Sequence, residues 1–311
     1  MTEVLENRFQ PEPGAAPLRR MVAAQAALET RQLLRNGEQL TLTLIIPLLL
    51  LAAFSLEPLI SFGGGYTRID FLTPGVIALA IMSTAFTSQA IATGFERRYG
   101  VLKRLGATPL SRVGLIAAKT VTVIGVELLQ AAIIVIVAAA LGWSPDAAPS
   151  AIVVVPLLIL LGTAAFSGFA LLLAGTLRAE ATLAAANLIY VLLLGVGGVV
   201  FPLSKFPVGA RSFLEALPTG ALSTGLRDVL ANGVAFPVRD VVTLAVWAVI
   251  AITLAARYFR WELGPQAPSA SGARASHRPR CRRAWCWPER YRCRPARGSP
   301  TAFSASSRPP R

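Results

Sequence analysis

The residues best suited to metal or nucleophile chemistry lie together near the C-terminus. His277, Cys281, Cys286 and Cys293 are separated by three, four and six residues, so they lack the C-x2-C pair of a structural zinc site. Residues 1–276 contain neither cysteine nor histidine, which removes the ordinary thiol nucleophile and the imidazole base or ligand. We therefore expect no metal site and no catalytic residue in this chain.

The sequence also lacks a nucleotide-binding loop. Its nearest approach to G-x-x-x-x-G-K-[ST] is GLIAAKT at residues 114–120, where the second glycine is missing, although the motif needs it to cradle phosphate. We expect this chain to bind no cofactor and to hydrolyse no ATP. If ATP drives the function of this chain, the nucleotide and Mg²⁺ must bind to a separate polypeptide.

Polar side chains inside long apolar stretches form a third group of candidates. An ionisable group in hydrocarbon costs at least ~2.5 kcal/mol, so Glu127, an acid well inside a predicted membrane span, is unusual. Glu127 and Gln130 share a helix face. They form either a counter-charge or gate for a cationic amphiphilic substrate, or an interhelical hydrogen bond, which is the commoner role. The other candidates for a substrate path, which are more often packing groups, are Thr87, Ser88, Asn187 and Tyr190.

The composition predicts the elements that position these residues. Of 311 residues, 54% are apolar and 15% are charged, against about 25% charged in soluble proteins. A bilayer core of about 30 Å requires a helix of about 20 mainly apolar residues. The sequence predicts an all-α, polytopic membrane protein with six transmembrane helices, at about residues 40–60, 71–95, within 113–141, 151–175, 181–201 and 241–259.

The distribution of charge predicts the orientation in the membrane. The net charge is +14, but residues 263–311 contribute +10 of it, with 11 Arg and one Glu. Elsewhere, five basic residues precede the first predicted span and five more lie between the second and third. Because basic loops stay in the cytoplasm, we expect a protein of the inner (plasma) membrane with both termini on the cytoplasmic side. We expect no nucleic-acid partner.

Three regions follow from these patterns. Residues 1–37 form a cytoplasmic N-terminus, in which 18–35 has the spacing of an amphipathic helix lying on the inner membrane surface or of an ordinary soluble cap helix. Residues 38–262 form the six-span domain, with a long outer connection before the last span. Residues 263–311 read as a disordered basic tail, which either binds anionic lipid or has no selected role.

The stretch from residue 71 to residue 119 carries a specific pattern. A predicted span opens on Pro74-Gly75 and is followed by ERRYGVLKRL at 96–105 and ATPLS at 107–111. The outer connection contains PLSKFP at 202–207 and LPTGALSTGLR at 217–227. These motifs resemble the membrane permeases of ABC type-2 exporters, and most of all the daunorubicin-resistance drug-exporter permeases of actinobacteria. The resemblance covers about residues 18–262.

The resemblance implies a cytoplasmic coupling helix between the second and third spans. This helix would dock into a separate ABC ATPase subunit, in a complex of two permeases, expected to be a homodimer, and two ATPases. The positions that we assign to coupling are Glu96, Gly100, Lys103, Arg104, Leu105, Thr108 and Pro109.

The residues of this segment allow two interpretations by themselves. Gly100 ends the preceding helix, and Lys103 and Arg104 then lie in a short amphipathic turn that can dock on a partner. Alternatively, the segment is an ordinary basic loop that only sets topology. Glu96 would pair with the ATPase or with its neighbours Arg97 or Arg98. The apolar residues expected to face the partner are Val101, Leu102 and Leu105.

Taken together, these features favour the permease subunit of an ATP-binding-cassette exporter. Its expected substrate is a hydrophobic or amphiphilic drug or antibiotic, moved outward by alternating access. Two alternatives are a permease that exports lipid or lipid-linked saccharide, and a membrane assembly or sensor protein that transports nothing. An ATPase partner separates the last alternative from the other two.

Overall fold

The computed structural model describes residues 16–37, 41–56, 68–106, 108, 110–199 and 207–259. Within these ranges the chain forms helices and no strand. Pro109 and the predicted tail at 263–311 lie outside them. Numbered in chain order, the helices are α1 (Leu18–Arg35), α2 (Ile46–Leu56, after a π-helical turn at Thr41–Ile45), α3 (Arg68–Arg98, with a π-helical turn at Ser83–Ser88), α4 (Val101–Gly106), α5 (Arg112–Ala140), α6 (Ala151–Thr176), α7 (Ala179–Val196), α8 (Val208–Glu215), α9 (Pro218–Leu230) and α10 (Val238–Tyr258).

The prediction of an all-α, polytopic membrane protein is confirmed. Five described helices, α3, α5, α6, α7 and α10, are long and apolar enough to cross a bilayer. In place of the first predicted span, the described residues contain a shorter apolar helix, Thr43–Ser55. The fifth predicted span extends too far, because α7 ends at Val196 and Gly198 adopts a φ of +70°, which an α-helix does not accommodate.

Helix α3 is the element around which the others pack. Its most apolar stretch is 94% buried, whereas the corresponding stretches of α5, α6, α7 and α10 are 22% to 44% buried. A helix that is apolar on all sides suits such a central position, and α3 contacts α2, α5, α6, α7 and α9. The outer helices keep exposed apolar faces, which are the surfaces that a bilayer would cover.

Small residues allow α6 and α10 to pack closely. A Cβ built on Gly168 of α6 would lie only 2.7 Å from the Cβ of Ala251 on α10. No larger residue fits at this contact without moving one of the helices. Such close backbone approach is how membrane helices gain packing contacts in the absence of a strong hydrophobic driving force.

The predicted outer connection contains a buried helix. Pro218 begins α9, at a helical position where an amide donor would have no partner in the helix. Most residues of α9 are buried, and the helix packs against α3, α6 and α10. The second half of the connection therefore belongs to the core of the bundle.

The helix predicted at residues 18–35 is present with those bounds and packs along α5. Ala26 is buried in this contact, and the Thr122 hydroxyl of α5 donates to the Ala26 carbonyl at 3.1 Å. Leu18, Leu28 and Leu34 remain exposed on α1. The helix thus has a protein-facing side and a separate set of exposed leucines, and its placement on a membrane surface stays a prediction.

Candidate functional site

A glycine turn ends α3 and starts the predicted coupling segment. The amides of Tyr99 and Gly100 donate back to the carbonyls of Phe95 and Arg97, at 2.9 and 3.3 Å. Gly100 has a φ of +69°, and a Cβ there would meet no atom within 4 Å. Glycine is therefore favoured by the left-handed backbone conformation and not by lack of space.

Helix α4 exposes its basic residues and buries one of its apolar ones. Lys103 and Arg104 are exposed, and Val101 and Leu105 are half-buried. Leu102 is only 6% exposed, so the prediction that it faces a partner is wrong. An isolated helix of six residues is unstable in water, so α4 depends on contacts with the rest of the bundle, to which the buried Leu102 contributes.

A capped turn joins α4 to α5. The exposed Thr108 hydroxyl donates to the Leu105 carbonyl at 2.6 Å and accepts from the Leu110 amide at 3.4 Å. The Ser111 hydroxyl accepts from the Gly114 amide at 3.1 Å, which satisfies one of the amides left free at the start of α5. Thr108 thus satisfies the Leu105 carbonyl at the end of α4 and links it to the Leu110 amide before α5.

Glu96 pairs with a lysine of α5. Its Oε2 lies 2.7 Å from the Lys119 Nζ, which is also 3.5 Å from Oε1 of Glu29 on α1. The Lys119 side chain is only 8% exposed. Burial raises the pKa of Glu29, and the charge of Lys119 opposes that rise. This Lys119 cluster (Glu29, Glu96 and Lys119) joins α1, α3 and α5, and the pairing differs from both partners expected from the sequence.

The two residues after Glu96 bind two further helices. The buried guanidinium of Arg97 donates to the carbonyls of Gly175 and Leu177, at the end of α6, where helical carbonyls lack partners within the helix. Arg98 forms an exposed ion pair with Glu180 in the first turn of α7. Three consecutive residues therefore connect the end of α3 to α5, α6 and α7. Through Lys119, they are also linked to Glu29 on α1.

The sequence pattern singles out Glu96 but does not indicate the partners of residues 96–98. A signal for Lys119 was present, because a lysine inside a predicted span needs a counter-charge or access to water. No comparable signal marks Gly175 or Leu177, since it is their backbone carbonyls that accept the hydrogen bonds.

Glu127 and Gln130 bridge helices in the interior of the bundle. The Thr163 hydroxyl of α6 donates to Glu127 Oε2 at 2.6 Å, while Glu127 Oε1 has no hydrogen-bond partner among the described residues. Gln130 accepts from the Thr84 hydroxyl at 2.7 Å and donates to the Thr43 carbonyl at 3.0 Å. The interhelical hydrogen bonds allowed by the sequence are therefore present, and a role in a substrate path stays a prediction.

The other four candidates for a substrate path lie in different surroundings. Thr87 and Ser88 are buried in the π-helical turn of α3. Asn187 is exposed on α7, and Tyr190, half-buried on the same helix, lies beside the Ser83 hydroxyl. These four residues do not share one environment, and their role in a substrate path stays a prediction.

A buried arginine to which the sequence assigns no role holds the N-terminal end of α3. Arg227 of α9 donates to the carbonyls of Phe71 at 3.0 Å and Val199 at 3.1 Å, and also to that of Gly198. Its guanidinium lies 3.8 Å from the centroid of the Phe71 ring, an attractive cation–π geometry. A Cβ on Gly75 would come within 2.7 Å of Arg227 Nη2, which explains a glycine at that position.

These contacts define a helical membrane protein in which the exposed basic helix α4 follows residues that contact the ends of several spanning helices. A family model described as ABC-2 type transporter matches residues 23–231. That is more than half of the chain, and the chain belongs to the ABC-2 type transporter family, as the permease component of an ABC transporter. The match includes the Lys119 cluster, α4 and Arg227, and it does not single out the daunorubicin-resistance group. No curated protein matches the chain significantly.

Proposed function

We propose that the chain is the permease subunit of an ATP-driven exporter and that a separate ABC ATPase docks on α4. The observation that carries this proposal is the position of Lys103 and Arg104. Both are exposed on a short helix that closely follows Glu96, Arg97 and Arg98. These residues bind α5, α6 and α7, and Lys119 extends the link to α1. A force applied to α4 would therefore act on four helices at once.

The proposed mechanism is alternating access. ATP and Mg²⁺ bind to the partner subunit, whose closure pushes on α4 and rearranges the permease so that substrate leaves on the outer side. The positive-inside pattern of the sequence supports an inner-membrane location with both termini and α4 in the cytoplasm. The resemblance to drug-exporter permeases supports a hydrophobic or amphiphilic drug as substrate and outward transport.

A second copy of this chain is part of the proposal. Asn187 is exposed on α7, among the exposed apolar residues Leu183, Leu188 and Val191. An amide facing lipid would lack hydrogen-bond partners, which is unfavourable in hydrocarbon. Across a two-fold axis, the same amide of a second copy supplies both a donor and an acceptor. This arrangement supports a complex of two permeases with two ATPases.

The test is a charge reversal on α4 in inverted membrane vesicles from the native host. Lys103→Glu with Arg104→Glu should abolish ATP-dependent uptake of a fluorescent drug into the vesicles, because like-charge or unpaired-charge contacts at a docking surface cost several kcal/mol. The amount of permease in the membrane should stay normal, since both side chains are exposed and Arg97, Arg98 and Arg112 keep the loop basic.

The matched control reverses Arg282 and Arg283, an adjacent basic pair in the C-terminal segment, and should transport like the wild type. Normal uptake by the α4 variant at normal expression would refute docking at α4. Absence of ATP-dependent uptake by wild-type vesicles for drugs, but uptake of a fluorescent lipid, would replace the drug by a lipid as substrate.

A further inference from the structure

A cavity of about 570 Å³ lies beside the coupling segment, between α3, α4, α5, α6 and α10. This volume is in the range of ordinary small-molecule sites, about 300–1,000 Å³. Its lining is mainly apolar, and the apolar contributions include Leu102, Leu115, Ile124, Leu171 and Ala255. An apolar molecule of drug size therefore fits the space that the described helices enclose.

Three buried polar atoms in the cavity wall are unsatisfied. Gln89 Oε1, Thr93 Oγ1 and Ser167 Oγ have no hydrogen-bond partner among the described residues. These residues are 7%, 1% and 9% exposed, and a buried polar atom without a hydrogen bond is energetically unfavourable. Gln89 and Thr93 are four residues apart and share one face of α3, while Ser167 comes from α6. A ligand that donates hydrogen bonds would remove this penalty.

The chemistry of these atoms selects the ligand. An amide oxygen such as Gln89 Oε1 only accepts hydrogen bonds, and the hydroxyl oxygens of Thr93 and Ser167 also accept. The complementary ligand has an N–H or O–H group on an apolar body. A purely apolar molecule of the same shape would leave all three atoms unsatisfied.

Some apolar side chains of the cavity wall are also exposed. Ile116, Leu160 and Ile252 line the cavity and are 42% to 52% exposed, on helices whose outer faces a bilayer would cover. A ligand would consequently reach the cavity from the lipid leaflet and would not have to cross a charged vestibule.

The same cavity touches the coupling segment directly. Leu102 of α4 and Lys119, which binds Glu96, both contribute to its wall. A ligand inside would contact the helix on which the ATPase is proposed to dock. Ligand binding in the cavity and ATPase docking on α4 would then involve the same side chains, with no chain of intervening residues between them.

We propose that this cavity is the loading site for an amphiphile with an apolar body and at least one N–H or O–H donor, reached from the leaflet next to α4. The loading role rests on the proposed export function, whereas binding to the cavity does not.

Two ring-matched fluorescent probes test the donor requirement: 2-aminoanthracene, which donates N–H groups, and 2-methylanthracene, which does not. Each is titrated into the purified full-length chain in lipid nanodiscs, with empty nanodiscs subtracted. Gln89→Leu and Thr93→Val should each weaken binding of 2-aminoanthracene by about five- to tenfold, the effect of one hydrogen bond, and leave 2-methylanthracene unchanged. An equal loss for both probes, or no loss for either, would overturn the assigned donor chemistry.

A blocking substitution tests the location. Ala164→Trp fills the cavity that Ala164 lines and should abolish saturable binding of both probes. Ala132→Trp, the same change on an exposed position of α5, is the matched control and should bind like the wild type. Unchanged binding to Ala164→Trp would show that the probes bind elsewhere and would overturn the proposed site.

Transport measured on the same variants separates this proposal from the exporter proposal. Ala164→Trp should lose drug uptake in inverted vesicles, while Ala132→Trp keeps it. Lost binding with normal uptake would overturn the loading role and leave the exporter proposal intact. Absence of uptake by the wild type, with binding as expected, would refute export and leave the cavity as a ligand site only.

Discussion

Each end of α3 is held by an arginine that binds backbone carbonyls, but the surroundings of the two arginines differ. At its C-terminal end, which we call the inner end after the predicted orientation, Arg97 donates to the carbonyls of Gly175 and Leu177. At its N-terminal end, called the outer end in the same sense, Arg227 donates to those of Phe71, Gly198 and Val199. Both arginines are 8% exposed. In each case a forked guanidinium satisfies backbone carbonyls and fixes the position of the central helix.

The difference lies in what surrounds each arginine. The inner end adds the Lys119 cluster and the Arg98–Glu180 ion pair, and it continues into the exposed basic helix α4. At the outer end, Arg227 lies over the Phe71 ring, and the hydrogen bonds described for it go to backbone carbonyls. The charge of a carboxylate depends on pH, and the strength of an exposed ion pair depends on salt concentration. Hydrogen bonds from arginine to backbone carbonyls depend little on either. We infer that the inner end is the adjustable end and that the outer end is a fixed anchor.

The largest effect is expected at the outer anchor. Arg227→Leu removes a charged donor from three buried carbonyls, which should lower the free energy of unfolding by about 4 kcal/mol. The measurement is thermal unfolding of the purified chain, with Arg211→Leu as the control. Arg211 is 52% exposed and pairs with Glu215, so its loss should change stability by less than about 1 kcal/mol. Equal effects of the two variants would contradict the anchor role.

An intermediate effect, dependent on pH, is expected at the Lys119 cluster. Lys119→Met leaves Glu29 and Glu96 without their shared cation and should lower the free energy of unfolding by about 2 kcal/mol near neutral pH. This loss is smaller than that expected for breaking a fully buried ion pair, because Glu29 can take up a proton. The pKa of Glu29 is already raised from 4.5, and removing Lys119 removes an influence that lowers it.

The sign of the pH dependence follows from that raised pKa. Between pH 4.5 and the raised pKa, the folded chain binds more protons than the unfolded chain, so stability falls as pH rises. Thermal unfolding across this window should show Lys119→Met closest to the wild type at the acid end. Adding Glu29→Gln should recover part of the loss at neutral pH. A deficit that is the same at every pH would show that the missing charge is not its cause.

The smallest effect is expected for the exposed pair at the inner end. The side chains of Arg98 and Glu180 are 46% and 62% exposed, so a double-mutant cycle with Arg98→Gln and Glu180→Gln should yield a coupling of about 0.2–1 kcal/mol. The coupling should decrease when the cycle is repeated at high salt. A larger coupling that salt leaves unchanged would mean that this pair is as shielded as the Lys119 cluster, and would weaken the distinction between adjustable and fixed contacts.

Several elements of the fold were predictable because their signals are local. Helix α1 has the predicted bounds, and α4 begins directly after Gly100 as expected. Long apolar stretches identified the five spanning helices, since length and hydropathy suffice for that purpose. The end of α7 was misplaced because Val199 is apolar but follows Gly198, whose backbone conformation ends the helix.

The candidate site was predictable only in part. Lys103 and Arg104 are exposed as the charge pattern indicated, whereas Leu102 is buried against expectation. Periodicity in a helix of six residues cannot tell a partner from the remainder of the same bundle. Glu96 was identified, but its partner Lys119 is 23 residues away, and nothing in the local pattern connects the two.

The sequence by itself therefore determined the membrane class, the five long apolar helices, the lack of a nucleotide-binding loop and the basic turn. These are properties of composition and of short-range backbone conformation. Tertiary structure alone decided that Arg97 binds carbonyls 78 and 80 residues away, that Arg227 reaches back 156 residues to Phe71, and that Gln89, Thr93 and Ser167 face one cavity. Such contacts depend on which helices lie side by side, and a backbone carbonyl that accepts a hydrogen bond leaves no mark on the identity of its residue.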